Sequence, residues 1–282
     1  RKGQFPWAVA IETKKSYRLC SGTIISQRHV LTAAHCVVNI DYLNSKVCMN
    51  KAIESESEEI EKGIIGGYVA YGGNCNFNGS PGYKFNTTGS PCEKDDMTRV
   101  LISAVAWEKR YRDKVADERC TNFDIAIIEV ARDFRWNNFV RPACLTLPDF
   151  DYNGLIGSFY GFGLVDTAEE TDSNPKLQYF PDLRYGAGKV FRWDNSLRLD
   201  VKPMELTEKQ RVLTETSPMV QVESGDSGGG IVTTCGSRTI LVGVATEATE
   251  KFYKSRGMQV HPHINEICQL TGVCPIDQCN DE

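Results

Sequence analysis

The amino-acid sequence predicts a mostly β chain with one helix near its end. Short runs of apolar and β-branched residues recur along the 282 residues, and links of a few polar or glycine residues separate them. This alternation is typical of antiparallel strands joined by turns. Residues 262–270 instead have helical spacing, with Ile264, Ile267 and Cys268 on one face. No run approaches the roughly 20 apolar residues that a membrane-spanning helix needs.

The predicted strands are short and lie close together along the chain. The first begins at a proline, Pro6, and three polar residues, 26–28, separate the second strand from the third. Such short links favour antiparallel pairing of neighbours. The runs that we predict as strands are 5–11, 20–25, 29–32, 67–71, 99–107, 124–130, 155–163, 177–180, 219–222, 229–233 and 240–245.

Residues 39–95 differ in composition from the rest of the chain. Five glutamates lie between positions 54 and 61, and we interpret them as a solvated acidic face. Residues 72–89 are rich in Gly, Asn, Ser and Pro, which is typical of a surface loop. Cys75 and Cys92 bracket this loop, and we expect a disulfide at its base.

Charge and cysteine content indicate a protein of an oxidising compartment. The net charge of -5 argues against a nucleic-acid or anionic-membrane partner, because those partners favour basic surfaces. The eleven cysteines lack the C-x-x-C spacing of zinc sites and predict disulfides, with one thiol free or paired outside these residues. Asn78 and Asn86 each begin a glycosylation acceptor. We therefore expect a secreted, extracellular glycoprotein, and we interpret the start at Arg1 as that of a fragment or processed chain.

Three short segments carry candidate catalytic residues. Ser227 lies in the run 225–229, where glycines allow a tight turn that presents main-chain N–H groups to a bound group. His35 follows small residues at a sharp corner, and Asp124 opens an apolar strand. Taken singly, the serine run is better explained as a surface turn and the aspartate as a cap. Their order along the chain, His, Asp, Ser, is that of one known catalytic-triad arrangement.

With these residues the sequence resembles the chymotrypsin-like, trypsin-fold serine peptidases, as a divergent member. The segments that match that family are 5–9, 20–25, 31–36, 161–163 and 241–246. The resemblance implies an all-β fold of two six-stranded antiparallel β-barrels with a C-terminal α-helix, and a Cys20–Cys36 disulfide under the histidine. The chain would be one peptidase domain, divided at about 1–140, 141–271 and a tail at 272–282.

The resemblance implies a serine endopeptidase, and the residue types fit that chemistry. Ser227 would be the nucleophile that forms an acyl-enzyme, with His35 as its general base. Asp124 would fix the tautomer of the imidazole and stabilise the imidazolium. The N–H groups of Gly225 and Ser227 would hold the oxyanion.

The expected partners are protein or peptide substrates and a macromolecular inhibitor, and we expect a monomer. We expect no cofactor and no metal, because the candidate metal pair His261 and His263 has no apparent third ligand. A rival interpretation is a catalytically silent homologue that serves as a secreted binding or regulatory module.

Asp226 is the residue that the resemblance links to activation. In that family, cleavage of a zymogen frees an Ile or Val whose amino group pairs with this aspartate. The sequence begins downstream of where such a residue would lie. We therefore expect Asp226 to lack its ammonium partner, and burying the unpaired carboxylate would cost free energy of folding. The turn that carries the N–H groups of Gly225 and Ser227 would then be at risk of misforming.

The predicted specificity pocket departs from that of trypsin-like members. Gln221 stands where they carry an aspartate, so this position does not support a preference for Arg or Lys. We expect a polar pocket that attracts a positive or hydrogen-bonding side chain through Glu247. The substrate-binding residues implied by the resemblance are Gln221, Thr246, Glu247, Ala248 and Gly257.

The remaining cysteines do not match the common set of the family. Cys144 matches a position that pairs there with an upstream segment. His35 and Asp124 are 89 positions apart (124 − 35), which is long for the family, so we predict that 39–95 is an insertion that shades the cleft or binds a partner. Connectivity cannot be deduced from sequence; the pairs that we expect are Cys75–Cys92, Cys48–Cys120, Cys235–Cys268 and Cys274–Cys279.

Overall fold

The computed structural model describes residues 3–14, 17–38, 64–79, 86–107, 123–147, 149–166, 177–192, 198–203, 222–249 and 254–275. The first six strands are β1 (Ala8–Glu12), β2 (Arg18–Ile24), β3 (His29–Thr32), β4 (Tyr68–Tyr71), β5 (Thr98–Trp107) and β6 (Ala126–Val130). The later ones are β7 (Cys144–Leu145), β8 (Ile156–Gly161), β9 (Leu164–Asp166), β10 (Leu177–Tyr179), β11 (Arg184–Arg192), β12 (Arg198–Pro203), β13 (Gly230–Cys235), β14 (Arg238–Thr249) and β15 (Lys254–Gln259). Helix α1 spans Ile264–Thr271.

The first barrel closes in the order β1-β2-β3-β6-β5-β4, and every neighbouring pair is antiparallel. Val9 and Ile11 of β1 are fully buried in its core together with Ile128 of β6. The opposite face of β1 is buried too, because Ala10 packs in a small cluster with Phe162, which follows β8. The two halves of the chain therefore pack directly against each other at β1.

The second barrel follows the order β13-β8-β11-β12-β15-β14 and closes by the pairing of β13 with β14. Strand β7 adds to β14 in parallel. Val190, Leu199, Ile231 and Val242 fill the core. The structure confirms the expected all-β fold of two six-stranded antiparallel barrels.

Three strands of this barrel, β11, β12 and β15, have no counterpart among the predicted strands. Strand β11 contains Gly186 and Gly188, and glycine weakens an apolar strand pattern. Gly188 is needed there, because a side chain would run into the carbonyl of Lys202 on the neighbouring strand. Here the packing of strand on strand overrides local composition.

Two predicted strands differ from the observed ones. The run 155–163 is divided by a turn at Gly161–Gly163, and β9 then pairs with β10 in a separate hairpin. Residue 222 of the predicted strand 219–222 precedes a turn and lies in no strand, and 219–221 lie outside the described residues.

The predicted C-terminal helix is confirmed, with a 3-10 turn at His261–His263 before it. Ile264 and Ile267 are buried, as their spacing predicts. Within the described ranges, no helix has the length and apolar content to cross a membrane.

Two of the expected disulfides are confirmed, Cys20–Cys36 and Cys75–Cys92. The expected Cys235–Cys268 and Cys274–Cys279 pairs are wrong, because Cys268 bonds to Cys274. Gly272 ends α1 in the left-handed conformation and reverses the chain, which brings the two Cα atoms to 4.5 Å. Cys235 is itself disulfide-bonded, and Cys144 is a free thiol. The expected Cys48–Cys120 pair lies outside the described residues.

Candidate active site

His35 sits on a short 3-10 turn, Ala34–Cys36, directly after β3. Ala33 and Ala34 are fully buried, so their small size allows the chain to turn tightly into the core. The Cys20–Cys36 disulfide joins the turn to β2. The imidazole is thereby fixed at the edge of the first barrel, with about a fifth of its side chain exposed (20%).

Asp124 lies two residues before β6, and its carboxylate binds His35 twice. Oδ1 accepts the backbone N–H of His35 at 2.9 Å, and Oδ2 lies 2.7 Å from Nδ1 of the ring. With Nδ1–H donating to the carboxylate, the neutral ring leaves Nε2 as the acceptor. This is the tautomer that a general base needs if it is to take a proton from a serine hydroxyl.

The environment raises the pKa of His35. Burial favours the neutral ring and acts downward, but the charge of Asp124, its hydrogen bond and the charge of Glu247 together outweigh it. The imidazolium is therefore stabilised relative to that of a free histidine, which suits a base that holds a proton during the reaction.

Ser227 lies in a turn that glycines make feasible. Gly225 has φ +95°, in the left-handed region, and a side chain there would also press on the Cα of Gly163. Gly228 has φ +85° and donates to the carbonyl of Ala245 at 2.7 Å. Across the described residues, no acceptor engages the N–H of Gly225 or of Ser227. Among the described residues these two donors are thus left without an acceptor.

The hydroxyl of Ser227 is directed toward β14. Its Oγ lies 3.5 Å from the carbonyl of Thr246, and within the described part of the chain it forms no hydrogen bond with His35. Hydrogen bonds between catalytic groups are often long in an unliganded enzyme and shorten when substrate binds. The structure therefore contains the hydrogen-bonded His35–Asp124 pair, whereas a hydrogen bond between Ser227 and His35 would have to form when substrate binds.

Asp226 is buried, and its carboxylate has partners that the sequence did not reveal. Oδ1 accepts the N–H of Gly163 at 2.7 Å, and Oδ2 accepts the N–H of Glu223 at 3.0 Å. A side chain at Gly161 or Gly163 would collide with this carboxylate. The missing ammonium partner stays a prediction, but the carboxylate does have backbone partners in the glycine turn after β8 and in its own turn.

The predicted substrate edge contains an ion-pair cluster. Glu247 Oε1 lies 3.2 Å from Nη1 of Arg256, whose Nε lies 3.3 Å from Oδ1 of the buried Asp200. Sequence reasoning missed Arg256 and Asp200, since neither lies in a matching segment. The one sequence signal for Arg256 is its place directly before Gly257, a predicted substrate-binding residue.

The other predicted pocket residues lie on the same two strands. Gly257 is opposite Ala245 and is buried, and a side chain there would meet the carbonyl of Val244 at 2.5 Å. Ala248 pairs with Ser255 across the sheet. Gln221 lies outside the described residues.

The predicted glycosylation acceptors use their amide nitrogens in hydrogen bonds. Nδ2 of Asn78 donates to the buried Glu12 at 3.0 Å, and Nδ2 of Asn86 donates to Gln178 at 2.7 Å. Both side chains are half-buried. Because an amide nitrogen carries two hydrogens, each could keep its contact after glycosylation.

One group of potential metal ligands occurs among the described residues, Cys20, His35 and Cys36. The two sulfurs are joined in a disulfide, so neither is a thiolate that could bind a metal. The two cysteines instead hold the turn that carries His35 against β2.

The two six-stranded barrels fit a chymotrypsin-like fold, and sequence comparisons agree. The Trypsin family model matches residues 1–76, a stretch that includes His35. Phenoloxidase-activating factor 3 of Holotrichia diomphalia is 29% identical over 184 residues, which are 62% of this chain and 44% of that protein. CLIP domain-containing serine protease B10 of Anopheles gambiae is 30% identical over 184 residues, again 62% and 44%.

A mammalian protein also matches: Ovochymase-2 of Mus musculus is 24% identical over 163 residues, 57% of this chain and 20% of that protein. The chain spans less than half the length of these three relatives. Over these stretches it is similar to trypsin-like serine proteases.

Proposed function

We propose that the chain is a serine endopeptidase that hydrolyses peptide bonds through an acyl-enzyme on Ser227. The observation that carries this proposal is the doubly hydrogen-bonded His35–Asp124 pair, at 2.7 and 2.9 Å, beside a glycine turn with two free N–H donors. A family fold alone would not specify chemistry, but a histidine whose Nδ1 is held by a carboxylate supports the role of a general base.

The proposed reaction has two halves. Nε2 of His35 takes the hydroxyl proton as Ser227 Oγ attacks the substrate carbonyl carbon, and the N–H groups of Gly225 and Ser227 stabilise the oxyanion. The C–N bond then breaks, and the imidazolium gives its proton to the leaving amine. In the second half, His35 takes a proton from a water molecule, which attacks the ester carbonyl of the acyl-enzyme. The ester bond breaks, the acid product leaves, and Ser227 regains its proton from the imidazolium.

The substrate class follows from the groups at the predicted pocket edge. Glu247 and Asp200 share one guanidinium, that of Arg256, which leaves one net negative charge. Arg256 thus weakens the attraction that Glu247 alone would exert. We propose protein or peptide substrates with a neutral polar or basic side chain, rather than an acidic one, at the cleaved position.

Location and partners are part of the proposal. Three disulfides in the described residues support an extracellular protein, since such bonds persist in oxidising compartments. We propose that it is secreted as a zymogen, acts as a monomer, and meets a macromolecular inhibitor in its cleft.

The test is labelling with a fluorophosphonate probe, which reacts with an activated serine. Wild-type protein should be labelled, while Ser227→Ala and His35→Ala should not. Ser103→Ala, which removes an exposed hydroxyl far from the triad, should be labelled as wild type. Labelling that persists in Ser227→Ala would sink the proposal.

A second candidate function is that of a catalytically silent binding module. It is favoured by one observation, the contact of Ser227 Oγ with the Thr246 carbonyl in place of a hydrogen bond to His35 among the described residues. Absence of labelling in folded wild-type protein, together with tight binding of a peptide substrate analogue, would select this function.

A further inference from the structure

We propose that the loop closed by the Cys75–Cys92 disulfide positions the oxyanion turn, acting through the β9–β10 hairpin. We call residues 74–79 and 86–96 the stapled loop and residues 223–228 the oxyanion turn. The inference rests on the proposed function, because it concerns N–H groups that would stabilise an oxyanion. It assigns a role to a loop that sequence composition marks only as a surface excursion.

The stapled loop is anchored at one side to the first barrel. Within the loop, Oδ1 of Asp96 accepts the N–H groups of Asn74 and Cys75 at 2.9 and 2.7 Å, which holds its two ends together. Nδ2 of Asn76 donates to Glu12 at 2.9 Å, and Glu12 is fully buried on β1. A buried carboxylate with several donors is a rigid attachment, since releasing it would expose an unpaired charge to the core.

The other side of the stapled loop is bonded to the second barrel. Asn86 donates its N–H to the carbonyl of Tyr179 at 2.8 Å and its Nδ2–H to Oε1 of Gln178 at 2.7 Å. Asn76 donates its N–H to the carbonyl of Pro181 at 2.7 Å. Three hydrogen bonds thus hold strand β10 and the residues directly after it.

The hairpin in turn contacts the oxyanion turn. Tyr179 of β10 pairs with Leu164 of β9, and Leu164 donates its N–H to the carbonyl of Ser224 at 2.8 Å. The buried Tyr179 ring also lies against Gly225, where an added Cβ would be 3.6 Å from its hydroxyl. A continuous series of contacts therefore links the stapled loop, through Tyr179, to Gly225, whose N–H is a proposed oxyanion donor.

The disulfide makes this support stiff. It joins residues 17 positions apart, which restricts the conformations open to the loop between them. Without it, the bonds from Asn86 would open more often, and local opening of one segment raises hydrogen exchange in those that depend on it. Gln178 and Tyr179 are accordingly positioning residues for the turn.

The experiment measures amide hydrogen exchange in the segments 161–166 and 222–228, whether or not the protein is catalytic. Two changes loosen the support: Cys75→Ser with Cys92→Ser, and the milder Gln178→Ala. Gln178→Glu retains an acceptor for Asn86 and should behave as wild type. Matched controls are Cys268→Ser with Cys274→Ser, at the end of α1, and Gln27→Ala, at an exposed site.

Both loosening changes should speed exchange in the two segments by roughly tenfold or more, and the controls should leave it unchanged. The rate of fluorophosphonate labelling should fall in parallel, and Gln178→Glu should restore both. Unchanged exchange in 222–228, while the stapled loop itself exchanges faster, would overturn the inference. If wild type is not labelled at all, the proposed function fails, and the exchange data still decide the coupling.

Discussion

At the scale of single residues, the site depends on how charges are shared. His35 is stabilised as a cation by Asp124, which is hydrogen-bonded to it, and by Glu247, which acts at a distance. Glu247 also pairs with Arg256. A residue of the predicted substrate edge therefore also raises the pKa of His35, and we expect substrate selection and pH dependence to be linked.

Replacing Glu247 by Gln should shift the acid limb of the activity profile to lower pH. In the proposed mechanism the neutral imidazole is the active base, so activity should be lost as pH falls through the pKa of His35. Glu247 raises that pKa, and removing its charge lets the pKa fall, which preserves activity into more acidic solution.

The measurement is kcat/KM, or the labelling rate, between about pH 5 and pH 8, where histidine titrates. Glu129→Gln is the control, because its half-exposed carboxylate pairs with Arg28 on the far edge of β3. A limb that stays in place or moves to higher pH would show that Glu247 does not act on His35.

At the scale of elements, local patterns predict those parts of the site that are continuous in sequence. In each case the residue types indicate the local backbone conformation. Examples are the small residues before His35, the apolar run after Asp124 and the glycines around Ser227. The partners of Asp226 could not be predicted this way, since Gly163 is brought to it by a turn 63 positions earlier in the chain. The same holds for Arg256 and Asp200, which meet only through strand register.

Two glycine substitutions can separate the effect of the oxyanion-turn backbone on catalysis from its effect on stability. Gly225→Ala and Gly154→Ala place a side chain at similar left-handed φ angles, +95° and +78°, so each should lose about 1 kcal/mol of stability. The added Cβ has nothing within 4 Å at Gly154, but it meets Gly163 at 3.0 Å at Gly225.

Only Gly225→Ala should therefore displace an oxyanion donor, with a fall in kcat on the order of 10²-fold. Chemical denaturation gives the stability change, and steady-state kinetics gives kcat. Equal kcat in the two variants, after correction for the folded fraction, would exclude Gly225 from the oxyanion site.

At the scale of the whole molecule, the proposed triad is divided between the two barrels. His35 and Asp124 belong to the first barrel, and Ser227 lies three residues before β13 of the second. The alignment of the barrels therefore decides the distance between base and nucleophile. Buried hydrogen bonds cross between them, including that of Thr23 Oγ1 with Tyr160 Oη at 2.7 Å.

Ser21 on β2 forms several hydrogen bonds across this junction. Its backbone N–H donates to the carbonyl of Ser227 at 2.8 Å, and its Oγ donates to the carbonyl of Gly225 at 2.9 Å. The same Oγ accepts the N–H of Phe162 at 3.0 Å. One buried hydroxyl thus joins β2, the oxyanion turn and the glycine turn that holds Asp226.

Ser21→Ala should therefore destabilise the protein and impair the site together. The Phe162 N–H and the Gly225 carbonyl would lose a partner in the interior, which costs about 1–3 kcal/mol and lowers Tm by roughly 3–9 °C. Ser103→Ala loses a hydroxyl bond of similar kind to Glu129, but water replaces it at that exposed site, so its Tm should be nearly unchanged. Calorimetry measures both effects, and labelling of the folded Ser21→Ala protein should be slower than that of Ser103→Ala.

Equal Tm and equal labelling in the two variants would mean that the barrels are aligned without the Ser21 hydroxyl. Backbone contacts, such as that of the Ser21 N–H with the Ser227 carbonyl, would then suffice to hold Ser227 and His35 in place.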